Sequence, residues 1–371
     1  MQKHRSPIAI ALFLLAATLS SYSQESVLDA LEKPELLTVY GAIDSAIGLA
    51  VGWPVGPFHP EFLSSTNLLK GAKVANTLSF DARPDFSFRA HGSFYISSTD
   101  YLLTISELFF DYTIGNAIFL RGGKQSLSWG NARIFYEATD IVAGDLIYRI
   151  PMDSLSLKLY LPFGGSGFTA LASTTKAWAS GDLTGPGLSG AIKLDIALGR
   201  FEFAEAGTAQ YDGTYAFSST VKTSVAGIDL YAQGYGKYSG GNLSPLSCLA
   251  GASWDSSNPR IMVSAEFWHR GESGLSDDNR LAIGAGWKFA TPMPTKFALL
   301  WAHAFKDNSG VIMPAFIFDP IRHITITLSP LFSYGASGSV YASSLPPGID
   351  IPFSWTDKYA FLLSVALKTE Y

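Results

Sequence analysis

Several things are scarce in this chain of 371 residues. It has one cysteine, Cys248, which excludes an internal disulfide framework and a cysteine metal site. Cys248 falls in the apolar run 246–254 and reads as a small buried residue. Charged residues are 15% of the chain, against about 25% in an ordinary soluble protein. Beyond the first 20 residues no stretch is apolar enough, for long enough, to cross a bilayer as a helix. Basic residues are outnumbered, and an acidic balance argues against nucleic acid, which demands a basic stripe.

Enzyme and metal signatures are equally thin. Gly185-Pro-Gly-Leu-Ser-Gly190 fits G-x-G-x-x-G, but an alternating segment follows where a helix is needed, so it reads as a flexible turn. There is no G-x-S-x-G elbow. His59, His91, His269, His303 and His323 are scattered, with no i, i+4 pair; His91 and His323 have the parity of polar positions. No catalytic residue, metal ligand or cofactor is expected, and the chain does not read as an enzyme.

What is present begins with an export signal over 1–23. Lys3, His4 and Arg5 precede the apolar run Ile8 to Leu19, and Ser21 and Ser23 sit at −3 and −1 of a cleavage before Gln24. Losing Lys3 and Arg5 leaves 24 basic residues against 31 acidic ones, a mature charge of −7. Residues 24–35 form a short N-terminal segment, in which Ser26 to Lys33 can make one helical turn or two, capped by Ser26 and stopped by Pro34.

From 36 to 371 the chain is a series of short alternating segments. Leu155, Leu157, Leu159 and Leu161 share one face, with Lys158 and Tyr160 opposite; Phe86, Phe88, Ala90, Phe94 and Ile96 oppose Arg89 and His91. A period of two is a strand period. The charges Arg89, Glu107, Asp111, Arg121, Lys158, Lys193, Asp195, Asp229, Glu266, Arg270, Lys288, Lys368 and Glu370 all take the parity opposite to the apolar set of their segment. Lipid imposes such an exclusion, because Arg or Lys facing the bilayer midplane costs about 2–4 kcal/mol. An exported, apolar chain without spanning helices has one other way to satisfy its backbone in lipid, a closed barrel.

Short connections are read at 83–85, 115–116, 164–166, 199–200, 224–227, 256–259, 291–295 and 319–321, and longer ones at 51–72, 127–153, 177–187, 237–246, 271–279 and 333–357. Short turns on one side and long loops on the other are the outer-membrane pattern. The expectation is an all-β, antiparallel transmembrane outer-membrane barrel of about 18 strands, or 16 if the weak segment 214–224 and a neighbour are dropped. Trp178, Trp254, Trp287 and Trp301 lie near strand ends, where aromatic girdles form. Trp268 has interior parity.

Two stretches carry a resemblance. Phe119-Leu-Arg-Gly-Gly-Lys-Gln125, followed by Trp129-Gly130 and by Tyr136 to Asp140, resembles a strand and loop of Gram-negative or spirochaete-type porin-like outer-membrane barrels. Tyr359 to Tyr371 alternates and stops on an aromatic, and so resembles the terminal strand read by the barrel-assembly machinery. The resemblance implies that loop 127–153 folds into the lumen as a constriction, with Arg133, Glu137, Asp140, Asp145 and Arg149 as its charges. It also implies that Arg121 and Gln125 face the lumen beneath. Apolar residues in the same loop, among them Ile134, Phe135 and Ile141, independently favour packing against an inner wall. Arg89, Glu107, Asp111 and Lys158 complete the expected pore lining.

The function expected is passive diffusion of small hydrophilic solutes across a cell outer membrane. Its partners would be outer-membrane lipid, the assembly machinery and the solutes, with a homo-oligomer allowed. The rivals are a plugged structural or surface barrel with adhesin-like or antigen-like loops, and a hydrophobic-substrate transporter.

Overall fold

A computed structural model describes residues 38–370 apart from 54–66, 85–86, 99–102, 116, 126, 136–154, 175–187, 211–212, 258–259, 272–277, 290–294, 337 and 344–358. The export signal, the segment 24–35 and Tyr371 lie outside the described residues.

The chain forms a closed antiparallel barrel of eighteen long strands. In order they are β1 (Thr38–Trp53), β2 (Asn67–Arg83), β3 (Phe88–Ser97), β4 (Leu103–Ile114), β5 (Ile118–Lys124), β6 (Ser156–Phe163), β7 (Ser166–Thr174), β8 (Leu188–Leu198), β9 (Phe201–Gln210), β10 (Tyr215–Val225) and β11 (Ile228–Ser239). A two-residue strand, β12 (Asn242–Leu243), only extends the edge of β11. The wall continues with β13 (Ser247–Ser257), β14 (Arg260–Arg270), β15 (Asp278–Phe289), β16 (Thr295–Ala304), β17 (Ser309–Ile321), β18 (Ile324–Tyr334) and β19 (Tyr359–Glu370). Closure comes from β1, which pairs with β2 on one side and β19 on the other. The weak segment near 214–224 is a full strand, laddered along its length to β9 and β11.

The burial pattern is inverted relative to a soluble protein. Outward positions carry exposed Leu78, Leu157, Ile192 and Leu198, while inward positions carry buried Ser, Thr and Ala, with Ala282, Ala302 and Ser309 fully covered. Aromatic clusters mark the two rims of this apolar band. At one rim Trp301 Nε1 donates to the Tyr334 hydroxyl (3.1 Å), His303 Nδ1 lies 2.9 Å from the same oxygen, and Phe305 meets the His303 ring edge-on. At the other, Trp287 stacks on Phe289 and Phe297 packs on Phe316. Girdles bounding an apolar belt belong to a membrane barrel.

Tight turns close the second rim. Ala226 and Gly227 both have positive φ (51° and 79°), as a two-residue hairpin matched to strand twist requires. One predicted turn is displaced: β17 runs through 319–321, and the reversal comes at Arg322-His323, with His323 at φ 75°. The ladder slips between Phe318 and Ile321, so alternation breaks there, and His323 belongs to the turn instead of the lumen. The opposite rim is less uniform than the expected run of long loops, because 98–102, 211–214 and 305–308 are short. Cys248 is exposed, contrary to the buried reading. It alternates with the fully lumen-facing Leu249 and so sits on the outer, lipid-side face, where a small apolar residue is equally at home.

The inward rule has exceptions among the described residues, and Glu205 is the clearest of them. Glu205, near the middle of β9, alternates with inward Ala204 and Ala206 and stands beside Leu194 of β8 and Ser219 of β10. The Ser219 hydroxyl donates to its carboxylate at 2.6 Å.

Candidate functional site: a lumen crossed by loop 127–135

The site is built from a charged half-wall and a segment that crosses to the opposite side. In the half-wall, register places inward charges on neighbouring strands. Arg89 of β3 pairs with Asp81 of β2 and lies 3.5 Å from Asp111 of β4. Arg121 of β5 grips Asp111 with two donors, Nε at 2.5 Å and Nη2 at 2.9 Å. His91 lies between Asp81 (3.3 Å) and Glu107 (3.4 Å), and Lys193 pairs with Asp195 within β8 (2.8 Å). Phe109 is the apolar floor of this cluster, with Arg121 4.0 Å above its ring and His91 packed at 4.9 Å. The arginines, Lys193 and the carboxylates keep roughly a fifth to two fifths of their surface exposed, so water reaches them, while His91 is more covered.

The crossing segment leaves the wall at the end of β5, and glycine makes the departure possible. Gly123 has φ 128°, and a Cβ there would strike the Leu108 carbonyl oxygen and lie 2.7 Å from Phe109 Cα. Gln125, just beyond, is buried and donates to Ser156 Oγ at 2.8 Å, so it braces the exit under the loop without lining open water. Trp129 then packs on Leu171, Ala191 and Ala216 of β7, β8 and β10. Asn131 N–H reaches Gln233 Oε1 of β11 (3.2 Å).

The segment docks on β14. Glu266, 1% exposed, accepts the backbone N–H groups of Arg133, Ile134 (3.0 Å) and Phe135 (2.8 Å) and the Tyr231 hydroxyl (2.5 Å). Three successive backbone donors converging on one carboxylate form an anion nest. Phe135 is fully buried against Trp268, ring centroids 5.4 Å apart. Arg133 turns back to Asp229 at 2.8 Å. From β5 to β14 is eight strand positions in a barrel of eighteen, close to the far side, and ten extended residues reach about 35 Å.

A second inward element comes from the connection between β18 and β19. The one-turn helix α1 (Val340–Ser343) sends Tyr341 into the cluster formed by Phe135, Leu249, Trp268, Ala302, Val311 and Leu331. Val340 N–H donates to Asp307 Oδ2 (2.6 Å) and Tyr341 N–H to Ser309 Oγ (3.2 Å). Buried Asp278, flanked by Arg280 (2.8 Å) and Arg270 (3.4 Å), anchors the same region, and both guanidinium groups lie over Trp268. The interior is thus two-sided. The β11–β18 half is filled with apolar side chains and loop, and the β2–β8 half, apart from the Trp129 packing on β7 and β8, carries partly exposed charges.

Of the residues named from sequence, the structure gathers Arg89, Glu107, Asp111 and Arg121 into one network, with Lys158 beside it on β6. Arg133 stands on the far wall, and Glu137, Asp140, Asp145 and Arg149 lie outside the described residues. Parity marks Glu266 and Trp268 as inward positions and no more, and the loop pattern puts Tyr341 in an outer connection, 333–357. The signal used for loop 127–153, apolar residues in a long connection, is also present around Val340-Tyr341. Among the described residues no group of three or more His, Cys, Asp or Glu is placed to hold a metal.

No protein-family model matches the chain, and no curated relative matches it. Solved structures do. A mutant of the Rhodopseudomonas blastica porin is 10% identical, covers 90% of this chain and 100% of its own, and superposes with a TM-score of 0.49. A triple mutant of the same porin is 11% identical with the same coverage and TM-score. A structure described as "Asymmetric conductivity of engineered proteins" is 9% identical, again over 90% and 100%, with a TM-score of 0.48. At this distance no residue role is carried across from them.

Proposed function

We propose that this barrel is a passive diffusion channel for small hydrophilic solutes in a cell outer membrane. The observation that carries the reading is the segment 127–135, held inside the lumen by Glu266 while a charged, water-reachable wall is left along β2–β8. Irregular backbone at membrane depth is tolerated where protein satisfies its polar groups, and here it narrows a polar passage. Export by a cleaved leader, insertion guided by the terminal strand ending in Tyr371, and association of copies in the membrane belong to the same reading.

The test is single-channel conductance of the refolded protein in planar bilayers, beside a variant lacking 131–148. Discrete steps that enlarge on deletion support the channel and its constriction. Equal steps in both remove the constriction, and silence of the intact protein removes the channel. A second reading, a plugged surface barrel, is favoured by the apolar filling of Phe135 and Tyr341, and it requires that silence.

A further inference from the structure

In the ladder between β5 and β6, Lys158 stands directly opposite Arg121. Like charges facing each other across an antiparallel pair repel, so such a pair needs an anion close by. The wall supplies Lys158 no carboxylate at ion-pair distance, although Asp111 acts on it from farther off. Asp111 spends both oxygens on Arg121 and Arg89. Asp81 is engaged by Arg89 and His91, and Asp195 by Lys193. On the other side of Lys158 its register partner is Leu171, which is packed under Trp129. Among the described residues, then, no carboxylate pairs with this ammonium, which points into the wet half of the lumen.

A second row repeats the pattern near the turn-bearing rim. Arg260, Lys288 and Lys296 are consecutive register partners on β14, β15 and β16, all with inward parity. Arg260 leans on Asp255 (3.2 Å) and Lys296 on Asp319 (4.0 Å), and among the described residues no carboxylate is paired with Lys288 between them. Two rows of register-forced like charges, each with an unmatched lysine, make steps that a mobile anion can occupy in transit. Cations meet fewer such steps, because Asp81 and Asp111 are held by arginines and Asp195 by Lys193, while Glu107 is engaged by His91.

We propose that Lys158, between Arg121 and Lys193, is the anion contact of this pore and biases conduction toward small anions, with the Arg260–Lys288–Lys296 row serving them at the turn-bearing mouth. The inference rests on the channel reading above. It is tested by the zero-current potential of the refolded protein in a planar bilayer under a potassium chloride gradient. The intact protein is compared with Lys158→Gln, Lys158→Glu and, as a lumen lysine already matched to Glu202, Lys222→Gln. The heat-dependent electrophoretic shift of folded barrels reports refolding of each, and Lys158→Gln carries the test if the charge reversal does not fold. Chloride is expected to be preferred in the intact protein. Lys158→Gln should lower the chloride-to-potassium permeability ratio about twofold and Lys158→Glu further, with a smaller change for Lys222→Gln. A conducting protein with no anion preference, or a ratio unmoved by both Lys158 variants, overturns the proposal while leaving the channel intact. A silent protein overturns the channel reading, and the anion contact with it.

Discussion

The carboxylate of Glu266 accepts the backbone N–H of Phe135 at 2.8 Å, across 131 positions of sequence. The same group takes the N–H of Ile134 and Arg133 and the hydroxyl of Tyr231. A buried carboxylate is costly without partners, and backbone donors inside a membrane protein are costly without acceptors. Each meets the other's need. The consequence is that an irregular loop becomes a fixed part of the lumen wall.

Glu266→Gln tests that joint. The amide keeps a carbonyl acceptor but loses the charge, and its NH2 opposes a backbone donor. With charge-assisted bonds contributing about 1.5–3 kcal/mol each, the loop should detach while the eighteen-strand ladder survives. Single-channel steps larger and noisier than those of the unaltered protein, at an unchanged thermal transition, are the expected outcome. Identical steps would remove Glu266 from its anchoring role.

Phe135→Ala removes the other half of the anchor, the ring buried on Trp268. Truncating a buried Phe costs roughly 3–5 kcal/mol, here charged to loop docking. Glu266 and Phe135 hold one segment, so their effects should be non-additive. Once either is lost, the second substitution should add little to conductance or to protease access at 131–135. Full additivity would mean two independent attachments.

Asp307 sets a pH dependence for α1. Burial alone would raise its pKa, but hydrogen bonds from the Ser309 hydroxyl and from the backbone N–H groups of Val340 and Ser309 outweigh it and hold the carboxyl below its ordinary 3.8. A carboxyl depressed in the folded state adds stability that is present above the unfolded value and lost as pH falls through the folded one. Docking of α1 should therefore be unaffected near neutrality and weaken only below about pH 3.8. Amide exchange at Val340 and Tyr341, followed against pH, reads this. Asp307→Asn should abolish the acid step, and a step that persists in that variant would point to another group.

Glu205 faces outward at mid-strand, beside Leu194 and Ser219. Acidic groups on the lipid face destabilise less than basic ones, though still measurably. Glu205→Leu is expected to raise the unfolding midpoint in lipid vesicles, through a gain of about 1 kcal/mol in unfolding free energy. A lowered midpoint would show that something other than lipid covers Glu205 in the bilayer.

Much of the architecture was legible in the sequence because lipid acts on each strand separately. The alternation of Leu155 to Leu161 against Lys158, or of Phe86 to Ile96 against Arg89, needs no knowledge of neighbours, and the turns at Gly115 and Gly199 announce themselves by residue type. The errors fall where that local rule lapses. Asp319 to Ile321 look like a turn because proline interrupts the alternation, yet the ladder absorbs them through a slip and reverses at His323. Glu205 lies in β9, where small and polar residues such as Ala204, Ala206 and Gly207 blur the alternation.

The inward loop was partly legible too, since Ile134 and Phe135 are wasted in water. Its destination was not. That Phe135 meets Trp268, and Arg133 to Phe135 meet Glu266, depends on which strand lies nearly opposite β5 in a closed barrel. Closure is a property of all eighteen strands together. The pairing of Arg121 with Lys158 follows from register in the same way: period and parity place both inside, and only the ladder puts them face to face. By itself the sequence determined that this chain alternates, which side of each strand is polar, and where it turns, because those are costs settled residue by residue against lipid. The tertiary structure decided what meets what across the lumen, because contacts between residues a hundred positions apart exist only once the wall has closed.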